Sequence, residues 1–412
     1  MTVASRIVIA GAGIGGLTAA LALLRRGHDV TVLEQASELG ELGAGLQFAA
    51  DGSRILLALG LGAEMEKIVC EAEWKEVRVW STGITRKLFD LGADSRERFG
   101  APYWFVHRGD LYRVLREAVT ALKSDAIRTG ARVTGYRDQG DRVSAQLASG
   151  TTIACDILIG ADGVHSTIRS QLFESPQANF SGLIAWRGLI DMDRLSADLR
   201  RPVGANWVSP HGHVVTYPLR SGKILNFVGI AEDATWRTES WSTTGTQEEC
   251  AAYFPGWHAS IQAMIWAIDQ PYKWALVGRE PLARWSKGRV TLLGDACHPT
   301  LPFLAHGAIM ALEDAMVLAR CLDHFSAEPA RALKRYEDLR IERTTRIVHG
   351  SAANATRFHN PVLADAQAAE DYLDCEWAPE KVKMRYDWLF EYDATTVQID
   401  PTCGSKIGVL TP

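Results

Sequence analysis

The chain has 412 residues, 47% of them hydrophobic, and a formal net charge of −5. That length and composition support two or three domains with sizeable cores and exclude a disordered chain, while the mildly acidic balance argues against a nucleic-acid partner. No run of eighteen apolar residues escapes a Gly, an Arg or another break, so no transmembrane helix and no membrane partner are expected.

Residues 7–10 are apolar and rich in β-branched side chains, the composition of a buried parallel strand. Gly11, Gly13, Ile14, Gly15 and Gly16 follow, and then a run of helix formers to Arg26. Strand, glycines and helix stand in the order of a dinucleotide site: Gly11 for the turn, Gly13 for close approach to a pyrophosphate, and Gly16 for helix–strand packing. The phosphates would lie on the free N–H groups of the helix N-terminus. A second strand, 30–33, ends at Glu34, where a carboxylate accepts from ribose hydroxyls and repels a 2′-phosphate. The same apolar run could begin a signal peptide, but the basic n-region and the small-residue cleavage site are missing.

Residues 40–47 are too glycine-rich for a regular element and suit backbone passing close to a flat ligand. Asp51 is expected to N-cap a helix running to about Ile68. Residues 77–80 and 87–89 flank Ser81, Thr82 and Gly83, which predicts a hairpin and the start of a second domain. Residues 103–106 form a short aromatic strand, followed by Arg108 at the head of a helix to about Leu122; Arg108 is either a surface charge or a cation for a phosphate or adenine. Three short strands follow over 131–154. The buried strand 155–160 then ends at Asp162, the edge where open α/β sheets bind ligands.

From about Phe180 to Lys273 the pattern reads as all strand, with a hairpin about Arg220, Ser221 and Gly222. His213, Val215 and Tyr217 alternate and share one sheet face, either as paired core or as the floor of a pocket. Residues 289–293 return to buried-strand character and end at Asp295, His298 and Pro299. A loop punctuated by Pro and Gly, 300–307, leads into an apolar helix over 308–322, and a long helix runs from Arg331 to about Ala355. Trp388, Phe390 and Tyr392 are expected to pack on the body or on a partner subunit. The seven cysteines (Cys70, Cys155, Cys250, Cys297, Cys321, Cys375 and Cys403) are scattered, with no C-x-x-C pair. They fit a reducing cytoplasm and neither a disulfide framework nor a metal site. The thirteen tryptophans serve either core packing or an aromatic substrate chamber.

Three pieces together resemble the aromatic-ring hydroxylase family of flavoprotein monooxygenases: the 11–16 glycines with Glu34, Asp162-Gly163 with Ser166 and Arg169, and Gly294-Asp295 with His298-Pro299. The likeness runs from Ile7 to about Val348, where Tyr336, Glu337, Arg340 and Arg343 also fit. It implies an α/β protein with a Rossmann-like FAD-binding domain, an inserted β-sheet substrate domain and a helical C-terminal part. The FAD domain would comprise 1–71, 101–180 and 280–358, the substrate domain 72–100 and 181–279, and the C-terminal segment 359–412. FAD would be the bound cofactor and NADH the transient one, with NADPH as the alternative. Gly45, Leu46, Arg108, Asp162, Arg169, Asp295, Pro299, Gly307 and Ala308 would join the glycines and Glu34 in holding it. N–H groups near Gly307 and Ala308 would stabilise the reduced, anionic flavin.

Within the family the chain looks most like the single-component hydroxylases of small aromatic acids, of the 3-hydroxybenzoate 6-hydroxylase, salicylate hydroxylase and 6-hydroxynicotinate 3-monooxygenase kind. The likeness rests on residues 43–47, 107–111, His213 with Tyr217, Pro218 and Leu219, and 386–389. It implies hydroxylation of a hydroxylated aromatic acid with O2 through a flavin C4a-hydroperoxide. His213 would act as the base, Tyr217 would orient the substrate, and Gln47, Tyr103, Arg187 and Pro302 would line the pocket. A Gln expected after His298-Pro299 is replaced by Leu301-Pro302-Phe303, which leaves the exact substrate and the site of hydroxylation open. The alternatives are a flavin oxidase or dehydrogenase without oxygen insertion, and a non-catalytic nucleotide-binding protein. The assembly expected is a monomer or a homodimer.

Overall fold

The computed structural model describes residues 4–40, 44–173, 179–233, 235–236 and 243–400. Glu41, Leu42 and Gly43 of the glycine-rich loop, and Cys403, lie outside the described residues.

Five of the strands in a six-stranded sheet are parallel: Val290–Leu292, Ile157–Gly160, Arg6–Ala10, Asp29–Leu33 and Ile127–Arg128, in that spatial order. Ser286–Lys287 adds an antiparallel edge. The apolar runs form these strands because both faces are covered; Ile7, Ile9, Val30, Val32, Ile157 and Ile159 are fully or almost fully buried. Parallel pairing also sends all the carboxyl ends to one edge. Ala10 pairs with Gly160 and Leu33, and Gly160 with Leu292. Residues 11–16, Glu34, Asp162 and Asp295 therefore emerge side by side, although nearly 300 residues separate the first from the last. Two helices lie together on this sheet, Ile14–Leu24 and Gly307–His324.

A second, seven-stranded sheet is mostly antiparallel. Its order is Tyr272–Gly278, Asn179–Asp191, Ile224–Glu232, Gly212–Leu219, Val203–Ser209, Trp74–Val79 and Thr85–Asp90. On its outer face Ile184, Trp186, Trp207, Val214, Leu225 and Phe227 form a separate core beneath the helices Gln247–Ala252 and Ala259–Ala267. These helices interrupt a region whose sequence pattern reads as all strand. The first is fixed by a capping box, in which the Thr246 hydroxyl accepts from the Glu249 N–H and Glu249 accepts from the Thr246 N–H. Several of the tryptophans serve this outer core rather than a substrate chamber.

Two further expectations are corrected. The helix expected over 51–68 is two, Ala50–Ala58 and Gly62–Glu66, broken where Gly60 turns to φ +66°. Asp51 does not cap it; Ala49 does, and the Asp51 carboxylate is held by groups far along the chain. Past Asn360 the chain is helical over Ala366–Glu376 and Pro379–Phe390. Phe390 packs on Phe89, Phe99 and Tyr103, and Arg343 lies 4.0 Å from the centre of the Tyr392 ring, so this segment covers its own body.

Candidate active site

The glycine turn owes its shape to two positions that exclude side chains. Gly11 has φ +107°, and a Cβ there would lie 2.3 Å from the Ala161 carbonyl oxygen. A Cβ on Gly16 would lie 2.1 Å from the Gly11 carbonyl oxygen. Gly13, Ile14, Gly15 and Gly16 line a cavity of about 430 Å³ between the two sheets. Nothing lies within 4 Å of where a Gly13 side chain would begin, so the backbone there is open to a ligand. Glu34 braces the turn, its carboxylate accepting from the N–H groups of Ala12 and Ala36, each at 2.9 Å. Neither Gly11 nor Glu34 lines the cavity itself.

Asp162 and Arg169 are committed to the neighbouring turns. Asp162 accepts from the N–H groups of Thr167 (2.8 Å) and Ile168 (3.2 Å) and from the Ser166 hydroxyl. Arg169 donates to the carbonyls of Val164 (2.6 Å) and Ala296 (3.2 Å), tying two strand-end turns together. It is their neighbours Gly163 and Val164 that face the cavity. Asp295 does face it, and crowding by protein lifts its carboxyl above the ordinary range despite the opposing charges of His298 and Arg108. Gly45, Leu46, Gln47, Arg108, Pro299, Pro302, Gly307 and Ala308 complete this side.

The loop 299–307 rests on a buried ionic network. Asp314 accepts from His298 Nε2 (2.6 Å), Arg340 Nε (2.8 Å) and the Gly294 N–H (3.1 Å). Arg340 also donates to Glu313, which Arg343 shares with Asp51, and Asp51 lies 3.2 Å from His306. Burial alone would raise the carboxyls of Asp51 and Asp314; His306 and Arg343 hold the first below the usual range, and His298 and Arg340 the second. Cys297, His298 and Asp314 bring ligand atoms within 4.8 Å of one another. With Asp314 already engaged by three donors, this reads as a hydrogen-bonded support.

The inner face of the seven-stranded sheet forms the other wall. Register sets Asn206, Val215, Val228 and Arg187 in one row, and His213, Ile230, Ala185 and Trp274 in the next. His213 is 1% exposed and packs against Phe303 and Phe358. Its Nδ1 lies 2.7 Å from His359 Nε2, where one ring donates and the other accepts. Burial, with His359 beside it, pushes the His213 imidazole well below its usual value, and burial takes His359 down to about 4. Tyr217, stacked on Phe105 at 5.0 Å, has its phenol pushed up by burial and stays protonated. Tyr103 sits behind the wall, donating to Gln47 Oε1 at 2.9 Å. Arg187 lies between the rings of Tyr272 and Trp274, each 5.3 Å away.

The histidine pair has a consequence for stability. Below about pH 6.5 an unfolded chain protonates both imidazoles, while the folded protein keeps them neutral to about pH 4 at His359 and lower than 6.5 at His213. The unfolded state then binds more protons, so stability is expected to fall as pH drops through this window. Denaturation at pH 7 and pH 5 should show a smaller loss for H359Q than for the parent; equal losses would refute this.

Sequence reasoning missed two residues on this wall. Lys75 stands on the strand Trp74–Val79 and lines the cavity. Its signal was alternation with Val77 and Val79, hidden because the hairpin was expected to start at Val77. His359 caps the C-terminus of the helix Pro329–Phe358, beyond the expected end of that helix, where periodicity gave no warning.

Comparisons with known proteins identify the family. A family model described as an FAD binding domain matches residues 4–351. A 3-amino-4-hydroxybenzoate 2-monooxygenase of Streptomyces platensis is 37% identical over 393 residues, covering 95% of this chain and 97% of the relative. A 3-hydroxybenzoate 6-hydroxylase of Aquipseudomonas alcaligenes is 37% identical over 389 residues, covering 94% and 97%. Among solved structures, HpxO of Klebsiella pneumoniae complexed with FAD and uric acid superposes with a TM-score of 0.79 at 28% identity, covering 96% of this chain and 97% of that one.

Proposed function

This chain belongs to the FAD-dependent aromatic hydroxylases, and from that premise we propose that it is a monooxygenase that inserts oxygen from O2 into a small hydroxylated aromatic acid, with NADH as reductant. The observation that carries the reading is a neutral, buried His213 facing the same cavity as the glycine turn and Asp295. The open backbone at Gly13 and the cavity-facing Asp295 suit FAD. Glu34 would take its adenosine ribose, Arg108 the neighbouring pyrophosphate, and Asp295 the ribityl hydroxyls, with the N–H groups near Gly307 and Ala308 toward the N1–C2=O edge. In this reading the parallel sheet, within 1–71, 101–180 and 280–358, carries the cofactor, and the sheet formed by 72–100 and 181–279 carries the substrate. When bound, FAD supplies the electrons and the activated oxygen.

The protein's part is to make the ring nucleophilic. A phenol titrates near pH ~10, so a base must take its proton at neutral pH. With Nδ1 engaged by His359, His213 has Nε2 to accept that proton. As Nε2 gains it, the Nδ1 proton passes to His359 Nε2; the positive charge then sits on His359, the less buried ring, until His359 gives up its own Nδ1 proton. Tyr217, held as a neutral phenol, donates its O–H to orient the substrate. Phe303, Leu301 and Leu304 of the loop keep water from the reacting atoms.

The test is a panel of hydroxybenzoates, aminohydroxybenzoates and hydroxypyridine acids, read by NADH consumption, O2 uptake and product mass from 18O2. One member should accelerate NADH oxidation and gain one labelled oxygen. Peroxide formed from O2 without NADH, alongside an oxidised product carrying no label, would replace this reading with that of an oxidase.

A further inference from the structure

Lys75 presents a problem that the hydroxylase reading does not solve. Its side chain is 9% exposed, lines the cavity, and donates to Gln47 Oε1 at 2.9 Å. Among the described residues no carboxylate pairs with it; neighbouring Glu76 is engaged by Trp74, Arg78 and Arg201. Burial takes the ammonium down to about 8, with no opposing charge acting on it. An ammonium withdrawn from water onto a neutral amide is a costly arrangement that an anion in the same cavity relieves.

The surroundings are shaped to admit that anion. Lys75 pairs in register with Gly204, whose missing side chain makes room for the Phe105 ring, and the next position across the sheet is Tyr217, on which Phe105 stacks. Gln47 Oε1 accepts from both Lys75 and Tyr103, so its N–H groups are what Gln47 offers a ligand. Tyr217 lies four residues from His213 on one strand, about 13 Å away along it, and the Lys75 strand lies two strands, about 10 Å, to the side. The cavity thus has a base at one pole and a buried cation at the other, with apolar Val215 and Val228 between the strands' polar positions. Arg187 lies two strands to the opposite side and packs between two aromatic rings.

We propose that Lys75 is the carboxylate anchor of this site: an aromatic acid lies with its carboxylate on Lys75 and Gln47 and its phenolic oxygen toward His213. The proposal rests on the hydroxylase reading for the phenol end alone. Binding is measured by calorimetry on the FAD-loaded protein without NADH, using 3-hydroxybenzoate and 3-amino-4-hydroxybenzoate, each beside its carboxamide. The parent should prefer each acid over its amide by about 10- to 100-fold, the range for a hydrogen bond to a charged group. K75M, which keeps the stem volume and removes a buried charge, should lose that preference by weakening acid binding alone. Equal binding of acid and amide by the parent would overturn the proposal, and needs no variant that folds. So would K75M keeping the preference, or R187M abolishing it in place of K75M. Acid binding that depends on Lys75, with no hydroxylated product, would leave the anchor standing and sink the proposed reaction.

Discussion

H213A is expected to lower the rate of hydroxylation by at least about 100-fold, the low end of what a positioned general base contributes, while FAD content stays at the parent level. His213 stands on the strand Gly212–Leu219, away from the glycine turn and from Asp295, so its loss leaves the cofactor wall untouched. What disappears is the nitrogen that, in the proposed reaction, takes the phenolic proton. The loss should fall on kcat rather than KM, since proton acceptance matters as the ring reacts and not as it binds. Raising the pH should recover part of the rate, as bulk hydroxide ionises the phenol before it binds. H359N is the milder counterpart: it removes the partner of Nδ1 and should shift the pH profile of kcat. Steady-state rates with product quantification check both, and an H213A rate within threefold of the parent would end the base assignment.

R340L is expected to cost about 3–5 kcal/mol of stability, because taking away one member of a buried ion cluster strands the others. Arg340 is fully buried and supports two carboxylates, donating to Asp314 at 2.8 Å and to Glu313 at 2.5 Å. Glu313 keeps Arg343, which Asp51 shares, and Asp314 keeps His298 and the Gly294 N–H, so three buried carboxylates are left with one guanidinium. Because Gly294 begins the turn that carries Asp295, the damage should reach the cofactor wall first. Flavin should be released at a lower temperature than the one at which helical signal is lost. Thermal melts followed by flavin fluorescence and by circular dichroism separate the two events; a variant melting with the parent would contradict the account.

What the sequence made legible follows physical range. The glycine turn, the strand-end acids and the alternation of His213, Val215 and Tyr217 are local patterns, each set by backbone geometry over a few residues, and each is where the pattern puts it. Asp51 looked like a cap because its neighbours suit one, yet its partners Arg343 and His306 come from more than 250 residues away. Asp162 and Arg169 carried a motif, but a motif does not say which way a side chain turns; here Asp162 turns into its own loop and Arg169 bridges to the turn at Ala296. Lys75 and His359 were invisible for a related reason. A buried lysine on a strand named WKEVRV reads as solvent-facing until the opposite sheet face is known to be covered. A histidine at a helix end gains meaning only when the strand bearing His213 lies across from it.

The contact between His213 and His359 joins the middle of a sheet to the end of the helix Pro329–Phe358, and that helix is pinned in turn by Arg343 on the carbonyls of Trp388 and Leu389. The loop 299–307 hangs on the same helix, with Ser351 donating to the Leu301 carbonyl at 2.6 Å and Asn354 to that of Phe303 at 3.1 Å. One rod thus joins three parts of the molecule, and a strain applied at the closing helices is transmitted to both walls of the cavity together rather than to either alone.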